Sequence, residues 1–210
     1  VPFVHYFASH LDTSPSPLEA LNQYFRNDYF PLDKEEEAAL AQHFTERKVK
    51  RRSFLLQEGE VCRYASFVVA GCFKLYAVDK SGKEHNLLFA VENEWITDLA
   101  SFYGEQPSRV YIEAVEPATV LQIKHDDLLD LFTHYHKFDR NFRILVERGY
   151  IDLQNRILQS ISATAEERYQ NFLTQYPHWA NRLPNTQIAS YLGITPEFLS
   201  KVRKDRATKA

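Results

Sequence analysis

Residues 185–204, "NTQIASYLGITPEFLSKVRK", carry the reading on which the fold turns. Ile188, Leu192, Ile194, Leu199 and Val202 fall at spacings that suit two short helices sharing one buried corner. Gly193 stands where the first helix must stop. Thr195 is a natural cap for the second, with Pro196 at its first position and the Glu197 carboxylate facing the positive end of the helix dipole. Two helices bent at one glycine predict a helix-turn-helix, whose second helix enters the major groove of DNA.

Charge is distributed in keeping with that reading. The 210 residues carry a formal net charge of -3, so the chain is not basic throughout and any nucleic-acid contact must come from a local patch. From Asn181 to Ala210 there are six Lys or Arg, among them Arg182, against Glu197 and Asp205, a balance of +4 that leaves -7 elsewhere. With 44% hydrophobic and 25% charged residues the composition is that of an ordinary globular chain with room for one substantial core and a smaller second unit. No run has the apolar length of a membrane span, and the opening "VPFVHYFASH" lacks the basic start and long apolar centre of a signal peptide, so a cytoplasmic protein is expected. Two cysteines, Cys62 and Cys72, are too few for a tetrahedral zinc or a cubane cluster and read as small packing residues.

Outward from the C-terminal motif, "TAEERYQNFLTQYPHWANRLP" reads as an amphipathic helix with Thr164 and Glu167 as a capping box. Before it lies the longest helical pattern, "HDDLLDLFTHYHKF" running into "DRNFRILVERGYIDLQNRILQSI". There Phe138, Phe142, Leu145, Gly149, Leu153 and Ile157 recur every three or four residues as one stripe, which suits either packing on its own domain or pairing with a second copy. Further upstream "ASFVVAGCFKLYAVD", "SGKEHNLLFAV", "VYIEAV" and "ATVLQIK" are short β-rich runs, with "DKSGKE" as a hairpin turn, and predict a barrel or jelly roll able to enclose a small ligand. Two helices, "LEALNQYFRND" and "DKEEEAALAQHF", precede it, the second started by Asp33 and its glutamates. The expected organisation is a flexible leader over 1–17, a barrel domain over 18–136, a long dimerisation helix over 137–162 and a DNA-binding domain over 163–210.

Barrel, long helix and C-terminal helix-turn-helix in that order resemble the Crp/Fnr family of bacterial transcription regulators, over about Ser53 to Lys204. "IASYLGITPEFLSKVRK" resembles the family's recognition unit, and Gly59 in "QEGE", Gly71 in "VVAGCFKLY", Gly82 and "ENEWITDLASF" resemble its barrel markers. The resemblance implies an α+β fold: a cyclic nucleotide-binding-like double-stranded β-helix with flanking helices, a dimerisation helix and a winged-helix-type helix-turn-helix. It implies no enzymatic activity, double-stranded DNA and a second copy as partners, a palindromic site, a small-molecule effector of unidentified kind, RNA polymerase as a further partner, and no membrane. By position, Thr195 meets phosphate, Glu197 and Lys201 face base edges, Pro196 replaces a base-reading arginine of several relatives, and Ser200, Arg203 and Lys204 contact the backbone. Phe198, Leu199 and Val202 are expected in the core.

At the effector position the sequence departs from the pattern of the cyclic-AMP binders. Where they hold the ribose with a Gly-Glu-Leu stretch, Thr97, Asp98 and Leu99 stand here, and where an arginine holds the cyclic phosphate, Ser108 stands with Arg109 after it. A charge displaced by one residue points to the other face of an extended chain, so cyclic AMP is disfavoured as a cofactor, and Asp98, Leu99, Ser108 and Arg109 are the effector-binding candidates. Two other classes remain open: a cupin-like metal enzyme, against which a single barrel histidine, His85, argues, and a ligand-sensing module acting through a protein partner.

Overall fold

A computed structural model describes residues 15–209. The expected leader lies almost wholly outside the described residues. Ser16 caps α1 (Pro17–Asp28) by accepting from the Glu19 N–H. Asp33 starts α2 (Lys34–His43) with a reciprocal capping box, its side chain taking the Glu36 N–H while the Glu36 carboxylate takes its own.

The barrel consists of two four-stranded antiparallel sheets. One has the order β1 (Thr45–Val49), β8 (Ala118–Lys124), β3 (Tyr64–Ala70), β6 (Trp95–Ile96); the other has β2 (Phe54–Leu56), β7 (Tyr111–Ala114), β4 (Phe73–Val78), β5 (Glu84–Ala90). In β3 and β8 the register pairs Ser66 with Gln122 and Val68 with Val120, so these four share a face. Phe67 lies on the other face, against Tyr24 of α1 and Trp95 of β6. Gly71 turns β3 into β4 at φ +98°, where an added Cβ would lie 2.4 Å from the Ala118 Cβ; only glycine fits both the conformation and the space. A short α3 (Leu99–Gly104) sits between β6 and β7.

The long helical pattern breaks at Tyr135, whose extended backbone separates α4 (His125–His134) from α5 (His136–Ser162). The predicted stripe on α5 also divides. Phe138 and Phe142 are buried in the barrel core, whereas Leu153 and Ile157 are half exposed. They join Val146, Tyr150 and Ile161 in an exposed seam at spacings of three and four.

The C-terminal unit consists of α6 (Ala165–Gln175), α7 (Pro177–Arg182), α8 (Asn185–Leu192) and α9 (Pro196–Lys209). Thr164 and Glu167 form the expected capping box on α6. The wing is not found: among the described residues no strand follows Lys124, and the segment between α6 and α8 is helical, started by Pro177 at its first position. These helices share a core with the barrel, in which Tyr169, Phe172, Trp179, Ile188, Leu199 and Val202 pack with Cys72 and Phe89.

Candidate DNA interface and effector site

The recognition element is built as its sequence requires. Gly193 ends α8 at φ +67° and donates to the Ser190 carbonyl, and Ile194 donates to Ala189. Thr195 Oγ1 accepts the Phe198 N–H at 3.2 Å, the cap that sets the direction of α9. Ile188, Leu192, Leu199 and Val202 close the corner behind it. Glu197 and Lys201, one turn apart on α9, are exposed, as is Thr195.

Several of the nominated side chains are already engaged. Ser200 donates to the Pro196 carbonyl at 2.9 Å, Arg203 bonds Asn185 Oδ1, and Lys204 also has a partner. Pro196 is half buried at the start of the helix. The expectation for Phe198 is corrected: it is 39% exposed. Leu199 and Val202 define the buried stripe of α9, and Phe198, rotated about 100° from Leu199, falls beside it on the open face next to Glu197.

Arg182, counted from the sequence in the basic patch, is spent elsewhere. It holds Glu92 through two hydrogen bonds of 2.7 and 2.8 Å and Glu116 through Nε at 2.9 Å, tying α7 to the barrel. Burial pushes the Glu92 carboxyl up, but Arg182 and the backbone N–H of Gly71 outweigh it and hold the carboxyl at about 2. On the same side, β5 is an edge strand, and its free backbone groups are met by side chains. Ser190 Oγ accepts from the Asn86 N–H at 3.0 Å and donates to the Glu84 carbonyl at 2.9 Å. Arg156 of α5 donates to the carbonyls of Leu87, Asn86 and Tyr191 and stacks on the Tyr191 ring, so one guanidinium touches barrel, long helix and C-terminal helices. None of these contacts was predicted, because those of Arg182, Ser190 and Arg156 each join residues 35 or more apart in sequence with no local signal.

The effector candidates divide into two pairs. Asp98 caps α3, accepting from the Ala100 and Ser101 N–H groups, and its other oxygen takes the Ser108 hydroxyl at 2.7 Å. Ser108 is buried, and its hydroxyl oxygen also accepts the Val110 N–H. Leu99 and Arg109 lie exposed. Asp98 and Ser108 thus satisfy each other, and a cyclic phosphate placed there would meet a carboxylate that no cation pairs among the described residues. The residues present do not fit cyclic AMP at that position. His85 bonds Asp79 in the hairpin at 2.7 Å. Among the described residues no group of three His, Cys, Asp or Glu is arranged to hold a metal. Both cysteines are buried, and burial raises the Cys72 thiol to about 12, far from a reactive thiolate.

Comparison with known proteins agrees with this architecture. Residues 46–135 match the family model described as cyclic nucleotide-binding domain. The transcriptional activator protein Anr of Pseudomonas aeruginosa is 23% identical over 167 residues, 74% of this chain and 68% of that protein. FixK2 from Bradyrhizobium japonicum superposes with a TM-score of 0.68 at 20% identity, over 79% of this chain and 85% of that one. A crp/fnr-family regulator from Eubacterium rectale superposes with a TM-score of 0.65 at 16% identity, over 89% and 88%. At these identities the superpositions establish the fold. Residues 46–135 are thus similar to a cyclic nucleotide-binding domain, the chain is similar in sequence to the Anr activator, and its fold is that of FixK2 and of the crp/fnr-family regulator.

Proposed function

We propose that the chain is a sequence-specific DNA-binding transcription regulator that works as a homodimer on a palindromic site. The observation that carries this is α9: Glu197 and Lys201 are exposed one turn apart, while Leu199 and Val202 anchor the helix from behind. A carboxylate and an ammonium so placed match cytosine N4 and guanine O6 or N7. The exposed seam of α5 supports the two-fold partner, since Val146, Tyr150, Leu153, Ile157 and Ile161 present an apolar stripe along a helix about 40 Å long. Such a pairing sets two recognition helices at a fixed spacing, which a palindrome matches. The similarity to activators of the Anr kind supports transcriptional output, with RNA polymerase as the further partner.

Selection of genomic fragments on the purified chain, followed by fluorescence anisotropy, tests the reading. A palindrome should emerge, bound with a steep inverse salt dependence. Lys201→Ala and Glu197→Ala should each cost about 1–3 kcal/mol on that site and little on random DNA. Selection that enriches no symmetric sequence refutes it.

A further inference from the structure

The barrel holds a cavity apart from the Asp98–Ser108 position, and its lining is unusual for the inside of a β-sandwich. It measures about 390 Å³ and opens between the sheets beside β1 and β2. Leu55, Leu56, Val61 and Ile112 supply apolar wall. Facing them, Ser66 and Gln122 are 2% and 6% exposed, two polar side chains on the inner face of paired strands. The Gln122 amide donates to Ser66 Oγ at 3.0 Å. Among the described residues nothing donates to the Gln122 amide oxygen, and nothing accepts the Ser66 hydroxyl proton. One acceptor and one donor are therefore left open to a ligand in a chamber whose wall is as much polar as apolar, whereas the next pair on the same face is Val68 with Val120.

The mouth is charged in one sense. Arg63 is exposed with no carboxylate partner among the described residues, and Arg47 bonds only the Phe54 carbonyl at 3.2 Å. Glu60, the one carboxylate on the lining, accepts the Gln57 N–H at 3.0 Å, so two cations face one anion. The volume lies within the range of small-molecule sites, roughly 300–1,000 Å³.

We propose that this cavity binds a small hydroxylated carboxylic acid, with its carboxylate at Arg63 and Arg47, its hydroxyl on the Ser66–Gln122 pair and its carbon body against Leu56 and Ile112. The Asp98–Ser108 position, closed on itself, takes no part. Binding stands independently of DNA recognition; only the statement that the acid acts as the effector rests on the regulator reading above.

The probe is 4-hydroxybenzoate, titrated calorimetrically into the full chain, with benzoate and 4-hydroxybenzamide as the partners lacking the hydroxyl and the charge. Saturable one-to-one binding is expected for 4-hydroxybenzoate, at least tenfold weaker for each of the other two. Arg63→Ala and Gln122→Leu should each weaken it at least tenfold. Gln122→Leu should melt close to the parent, because leucine places an apolar side chain of similar reach against Leu56 and Ile112, which separates loss of a contact from loss of fold. Absence of saturable binding by all three compounds overturns the proposal. So does binding that both substitutions leave unchanged, or displacement of the probe by cyclic AMP, which would place it at Asp98. Anisotropy on selected DNA is measured in parallel; its failure beside intact acid binding counts against the regulator reading alone.

Discussion

Replacing Arg182 by alanine tests how the C-terminal helices are held on the barrel. In the native chain its guanidinium bridges Glu92 and Glu116, which flank the Cys72 and Phe89 side of the shared core. The fall of the Glu92 carboxyl from 4.5 to about 2 corresponds to roughly 3 kcal/mol of preference for its charged form, to which Gly71 also contributes. The side chains are 28% and 38% exposed, so solvent screening leaves about 1–2 kcal/mol for the Arg182 contacts. Arg182→Ala removes that attraction and leaves two carboxylates facing each other. Hydrogen exchange read by mass spectrometry is the assay. Amides of α8 and of the adjoining β5 should exchange about 5–30 times faster, with the β1–β8 pair unchanged. The sign with pH follows from a depressed carboxylate: the native contribution is present above pH 4.5 and is lost as pH falls towards 2, so parent and variant should converge in acid. The double charge swap Arg182→Glu with Glu92→Arg should recover part of the protection. Equal exchange in parent and Arg182→Ala at neutral pH refutes the reasoning.

Glu94 gives the opposite pH sign. Burial, with Glu92 adding to it and the Val91 N–H opposing, holds its carboxyl up at about 7, so its contribution is intact below pH 4.5 and falls away as pH rises through 7; Glu94→Gln, which keeps an acceptor for Val91, should gain about 1–3 kcal/mol at pH 8 and flatten the pH dependence of thermal melting. On α5, Ile157 and Ile161 are 50% and 79% exposed, and covering both in a two-fold pair is worth roughly 4–8 kcal/mol per dimer, so Ile157→Asp with Ile161→Asp should sediment as a monomer at micromolar concentration while keeping the parent's circular dichroism. Gly71→Ala forces a left-handed alanine against Ala118 and should lower stability by about 2–5 kcal/mol in urea titration; a change within 0.5 kcal/mol would show that the β3–β4 turn relaxes freely.

What was legible from the chain was local. Asp33 with Glu36, Thr164 with Glu167 and Thr195 with Phe198 each place a cap and its N–H three residues apart, and Gly193 supplies a conformation other residues resist, so the helix boundaries could be read in place. The α9 face was legible for the same reason, apart from Phe198, where an aromatic type suggested burial and the helical period decided otherwise. The effector candidates were legible as positions, but their state was not: that Ser108 gives its hydroxyl to Asp98 depends on how α3 and the approach to β7 meet.

The sequence by itself determined the order of barrel, long helix and helix-turn-helix, because alternation, helical period and caps are written within a few residues of where they act. Tertiary structure alone decided that Arg182 belongs to the barrel rather than to DNA, that Arg156 and Ser190 cover the open edge of β5, and that Ser66 and Gln122 face a chamber. These are pairings across 35 to 106 residues, and a chain carries no local mark of the partner that a distant segment will bring to it once the shared apolar core has set their positions.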